Sequence, residues 1–256
     1  MTTEPSPSPR AKIRDDFIRR LFAVAVSVGF ASTLIQMTWV KSALLPTPNE
    51  QQQLAILFIG LFATVASWDG YLASIHEKPL EGDWRFSIDI TLVFIYMFFL
   101  ISSSQPTFWL PIIGVIFFLY TIWDALTIRE HYEKYVPAGW SGKRPGILGV
   151  YLHGLFGDRR INRGPAITLC WFIYFVGLYL IGRLAFPEKL CRVFFVTLPC
   201  SFVLLGPMAF VGLLFYRSDK RARGSDREVG TLFRIVAIVI LLGGALADYW
   251  LLTATL

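Results

Sequence analysis

Three aspartates stand inside otherwise apolar stretches of this 256-residue chain: Asp69, Asp89 and Asp124. A carboxylate in hydrocarbon costs about 2.5–3.5 kcal/mol even on lenient insertion scales, so each is expected to face a cation, a proton, water or another polar side chain. The cations within sequence reach are Arg85, four residues before Asp89, together with Arg129 and Arg234. Two of the aspartates follow a tryptophan and precede a histidine at one spacing, Trp68-Asp69-x6-His76 and Trp123-Asp124-x6-His131. This internal match points to two duplicated helical hairpins in parallel orientation, an arrangement found in some transporters. The chemistry open to such a set is the binding of a cation, a proton or a small polar solute. Asp69, Asp89, Asp124, Arg85, Arg234, Trp68 and Trp123 form the expected binding set. The plainer alternative is that the acids reach headgroup water and that an Arg85–Asp89 pair staples the start of one helix.

A metal site would draw on His76 and His131, converging from neighbouring helices with Glu77 or Glu130. Spacing argues against it. Asp69 and His76 lie seven residues apart, roughly 10 Å along a helix axis, too far to share one ion at about 2 Å. No HExxH or His-x3-His spacing occurs, and His153 stands alone. Phosphate-binding loops, nucleophile elbows and dinucleotide fingerprints are likewise missing, so the residues name no cofactor. Cys170, Cys191 and Cys200 are odd in number and have no CxxC spacing, which leaves them as small packing residues.

The elements that must position these groups are set by composition. Hydrophobic residues make up 55% of the chain and charged ones 16%, against about 45–50% and about 25% in soluble domains. Lipid is therefore the expected solvent, and the fold class is all-α, a polytopic transmembrane helical bundle. A span needs about 20 apolar residues, and seven windows supply them: roughly 20–40, 53–75, 86–104, 108–128, 166–186, 193–216 and 231–252. Residues 1–16 are Pro/Ser-rich and read as a disordered cytoplasmic tail, with residues 17–256 as one transmembrane domain. The apolar run from Leu21 is too long for a signal peptide and reads as a retained first span.

Lys and Arg orient the bundle. With the N-terminus inside, nineteen of the 24 fall on the cytoplasmic side, and four (Lys41, Arg183, Lys189, Arg192) fall outside. That asymmetry follows the positive-inside rule, implies an odd number of spans and puts the C-terminus outside. It also explains the net charge of +6 without nucleic acid. Trp39, Trp109 and Trp250 at outer ends, and Trp68, Trp84 and Trp123 at inner ends, are expected at headgroup level.

The longest cytoplasmic connection, residues 129–164, contains the apolar segment 147–157 between basic flanks and is expected to lie along the inner interface. Pro199 and Gly206-Pro207 are expected to kink the sixth span, and Gly243, Gly244 and Ala247 to form a close-packing face on the seventh. Asp248 is a candidate partner for Arg183.

Three functions remain open: a small transporter or channel-like protein of the plasma or bacterial inner membrane, a membrane scaffold or assembly partner, and a lipid-headgroup hydrolase or transferase. The expected partners are membrane lipids, with a second copy of the chain or other membrane subunits as protein partners.

Overall fold

The computed structural model describes residues 8–42, 45–77, 79–104, 108–130, 148, 164–185, 190–193, 196–221 and 231–254. In chain order these form α1 (Pro9–Gln36), the short α2 (Thr38–Ser42), α3 (Pro48–Glu77), α4 (Asp83–Ile101) with a 3-10 turn at Ser102–Ser104, and α5 (Trp109–Glu130). There follow α6 (Gly164–Ala185), a two-stranded antiparallel hairpin of β1 (Leu190–Val193) and β2 (Val196–Pro199), then α7 (Cys200–Arg221) and α8 (Thr231–Ala254). Five helical segments are long and apolar enough to cross a membrane: Pro9–Gln36, Gln53–Leu72, Asp83–Ile101, Trp109–Glu130 and Gly164–Gly182. The chain thus has the helical make-up of a multi-pass integral membrane protein. Helices α7 and α8 occupy the places of the last two predicted spans, α8 with a shorter apolar stretch, Leu232–Gly244.

Helix starts differ from the hydropathy windows for identifiable reasons. The first helix begins at Pro9, inside the segment expected to be a disordered tail. Ser8 caps it by accepting from the Ala11 N–H (3.2 Å), and Pro9 loses nothing at the first helical position, where its missing N–H would have no partner. The pairs Asp15–Arg19 and Asp16–Arg20 then support its polar end. Helix α3 begins with Thr47-Pro48-Asn49-Glu50, a reciprocal capping box. The Glu50 carboxylate accepts from the Thr47 N–H (2.9 Å) and hydroxyl (2.7 Å), and its other oxygen accepts from the N–H groups of Thr38 (2.5 Å) and Trp39 (3.2 Å) at the start of α2. One acid therefore fixes two helix starts.

Residues 190–193 and 196–199 pair as antiparallel strands where a helix was expected from residue 193, so Pro199 ends a strand instead of kinking a span. Pro207 does lie inside α7. Gly244 faces Met208 of α7, whereas Gly243 opens outward. Apart from Leu148, the segment 147–157 lies outside the described residues, as do His131, His153 and the Arg183 and Asp248 side chains.

Lipid gives apolar helices little reason to leave it for one another, so association rests on close packing and polar contacts. Helices α1 and α4 run parallel and are joined at both ends. Near their starts Asp83 accepts from both Arg10 (2.7 Å) and Arg14, and Arg14 also donates to the Glu81 carbonyl (2.8 Å). Toward their far ends Thr33 donates to the Leu100 carbonyl (3.3 Å). Between these ties, a β-carbon on Gly29 would stand 2.9 Å from the Met97 carbonyl oxygen, so only glycine allows so close a crossing. On the other side of the bundle α6 packs between α5, α7 and α8. Phe117 lies 4.6 Å from Phe175 and 4.7 Å from Tyr216, and Tyr174 crosses Gly212 to donate to the Met208 carbonyl (2.8 Å).

Two tryptophans expected at headgroup level are instead interior. Trp109 is buried against Phe99 (5.2 Å) and Trp123 is buried beside Arg85, while Trp84 is open on the surface. Ring size and a single donor serve a helix interface as well as they serve a membrane interface.

Candidate functional site

The ends of α3, α5 and α7, with the start of α4, share one end of the bundle, and two different charge arrangements occur there. The first is a lock. Arg85 is wholly buried at the start of α4. It donates to the Pro79 carbonyl (3.2 Å) and the Glu130 carboxylate at the end of α5 (3.2 Å), and its guanidinium lies 5.0 Å from the Trp123 ring centre. Gly82 lies against the Glu130 carboxylate, where any side chain would collide with it. Asp89, one turn along α4 from Arg85, is also buried. It accepts from the Tyr71 hydroxyl (3.3 Å), and the Trp123 indole lies near it without reaching hydrogen-bond geometry.

The second arrangement is a cavity of about 450 Å³ bounded by α3, α4, α5 and α7. Its deeper walls are apolar: Ile59, Phe62 and Ala63 from α3, Ile113, Ile116 and Phe117 from α5, and Phe210, Leu213 and Leu214 from α7. Toward the polar end the lining changes to Ser67, Asp69 and Ser74 of α3, Tyr120, Trp123 and Asp124 of α5, and Arg217 of α7. Asp124 is only 5% exposed, and its Oδ2 has no hydrogen-bond partner among the described residues. Asp69 is exposed and Arg217 half-buried. A pocket of this size, mostly apolar with a few convergent polar groups, has the make-up of a small-molecule site.

A hydroxyl cluster separates the cavity from a smaller recess on its α1 side. Tyr96 donates to the Ser67 hydroxyl (2.7 Å), and Tyr120 hydrogen-bonds to both. All three side chains line the cavity and the recess together, and the recess also holds Trp68 and Asp89. Trp68 stacks on Phe22 of α1 (3.9 Å) and on Tyr71 (4.7 Å).

The three aspartates therefore do not line one cavity. Asp69 and Asp124 line the cavity, whereas Asp89 lines the recess and Arg85 is buried in the lock with Glu130. Arg234 is buried on α8 and is not part of the cavity wall. The expected Arg85–Asp89 staple gives way to the Arg85–Glu130 bridge, because the guanidinium crosses to the next helix instead of turning along its own. Sequence reasoning missed Ser67, Tyr96, Tyr120 and Arg217. The first three look like ordinary content of a membrane helix, and Arg217 like one more basic loop residue. Among the described residues no three His, Cys, Asp or Glu side chains gather in a metal-ligating group.

No protein-family model matches the chain, and no curated protein or solved structure is detectably similar to it.

Proposed function

We propose that this is a small transporter or channel-like membrane protein that takes a solute by its cationic group at Asp124 and Asp69. The carrying observation is Asp124: a carboxylate nine-tenths buried, with one oxygen unpartnered among the described residues, lining a cavity of about 450 Å³. An ionised group so placed is costly unless a cation or proton reaches it, and intramembrane acids left facing a cavity mark solute or ion paths. Seven spans, a cytoplasmic N-terminus and residence in the plasma or bacterial inner membrane belong to the same proposal, supported by the distribution of Lys and Arg.

The test uses n-hexylammonium, a cation with a short apolar tail, measured by calorimetric binding in detergent and by uptake into proteoliposomes. Asp124→Asn should weaken binding about tenfold or more, the loss of one charge-assisted hydrogen bond. Asp69→Asn, at an exposed position, should have the smaller effect. Unchanged binding and uptake in both variants would retire the site.

A membrane scaffold is the second reading, supported by the ties at Arg14–Asp83 and Arg85–Glu130, which hold helices to helices. It requires Asp124→Asn to change oligomer contacts rather than solute binding.

A further inference from the structure

The cavity has a side opening. Phe62 and Ile59 on α3, and Phe210 and Leu214 on α7, line it and are also exposed on the outer surface, Phe62 by 65% and Leu214 by 49%. A large apolar side chain that belongs both to a cavity wall and to the lipid-facing surface marks a mouth. Four of them on two facing helices make the seam between α3 and α7 the way in. The α5 wall is closed, with Ile113, Ile116 and Phe117 at most 5% exposed, and the polar end is open at Asp69 and Arg217. Along α3 the lining runs from Ile59 to Ser74, and the part from Ile59 to the carboxylate of Asp69 measures about 15 Å at 1.5 Å per residue. That is about half of a 30 Å hydrocarbon core, the depth of one leaflet. The charged side chains sit where the apolar part of this run gives way to Asp69, Gly70 and Ser74, at headgroup depth.

We infer that the cavity admits an amine-headed phospholipid sideways from the bilayer, its ammonium at Asp124 and Asp69, its phosphate at Arg217, and one acyl chain along Ile113 and Phe117 of α5. The inference rests on the solute-binding reading above and names the class of solute. Charge complementarity selects the occupant. Two carboxylates and one guanidinium at one end suit a head carrying both an ammonium and a phosphate. An anionic head without an amine would meet the Asp124 oxygen that no described residue contacts as a like charge. Apolar walls open to hydrocarbon accept a chain already dissolved there, so no apolar surface has to cross water.

The headgroup comparison needs no variant to fold. The full chain is placed in lipid nanodiscs containing phosphatidylethanolamine with a diazirine at mid-chain, illuminated, and mapped by peptide mass spectrometry. Adducts on Ile113, Ile116 or Phe117 report a chain inside the cavity, since bulk lipid touches only the rim. The expected result is α5 labelling that falls about tenfold when the same chain carries a phosphatidylglycerol head, with Asp124→Asn removing that preference. Ala63→Trp, which fills the wall without altering a charge, should abolish α5 labelling. Labelling confined to Phe62 and Phe210 would overturn the inference, and so would equal α5 labelling from both headgroups. If hexylammonium binds in an Asp124-dependent way while α5 stays unlabelled, solute binding stands and the lipid assignment falls. Loss of both would remove the two together.

Discussion

Arg85 with Glu130 and Asp124 with its cavity lie at the same end of the bundle, and Trp123 touches both, yet they treat charge in opposite ways. The lock surrounds a buried cation with a carboxylate, a backbone carbonyl and an aromatic face, all from the protein. The cavity leaves a buried carboxylate with an oxygen that no described residue meets. The two tryptophan–aspartate motifs repeat the contrast: Trp68 packs on Phe22 beside an exposed Asp69, while Trp123 covers Arg85 beside a buried Asp124. A charge satisfied internally contributes to holding the fold. One left facing open volume is an investment in something that comes from outside.

Mutations that remove each charge should move stability in different directions. Glu130→Ala strips Arg85 of its carboxylate and should cost about 3 kcal/mol, the low end for breaking a buried pair, measured by thermal unfolding in detergent. A neutral result would dissolve the distinction between lock and cavity. Asp124→Asn should leave stability unchanged or raise it by about 1 kcal/mol, because its Oδ2 has no partner among the described residues and a charge is removed from a buried position. A loss as large as that of Glu130→Ala would make Asp124 a structural residue.

The smallest effect is expected at Glu50, at the far end of the bundle. Hydrogen bonds from the Thr47 N–H and hydroxyl, then from Trp39 and Thr38, hold its carboxyl down to about 2 from an ordinary 4.5. The folded value lies below the unfolded one, so the contribution is complete above about pH 4.5 and is lost as pH falls toward 2. Glu50→Gln should flatten that part of the acid unfolding profile while leaving the profile of the Glu130 variant untouched. An unchanged profile would show that the corner between α2 and α3 is held by other contacts.

Five of the seven hydropathy windows fall on helices long and apolar enough to cross a membrane, because lipid demands a minimum apolar length of each span. The start signals Ser8-Pro9 and Thr47-Pro48-Asn49-Glu50 were also readable, though the polar windows around them pointed to tail and loop. Other features were not readable. Whether an aspartate faces the cavity or its neighbours depends on which helices are adjacent, and α1 packs chiefly along α4 rather than along the helix that follows it. Asp89 and Asp124 are alike in residue type and burial, and each has one oxygen without a partner among the described residues, so only that adjacency separates them. The hairpin at 190–199 has the apolar content of a helix start, and short apolar runs do not distinguish strand from helix. The hydroxyls of Ser67, Tyr96 and Tyr120 meet from three helices, and no spacing along one chain segment announces them.

The double tie between α1 and α4 has a mechanical consequence. Pinned near their starts by Arg14 and Asp83, pressed together at Gly29, and joined again at Thr33 and Leu100, these helices resist sliding and splaying alike. They form a stiff beam. Any widening of the seam has to be taken up by α3, hinged at its Glu50 corner, or by α7 where Pro207 interrupts its backbone hydrogen bonds.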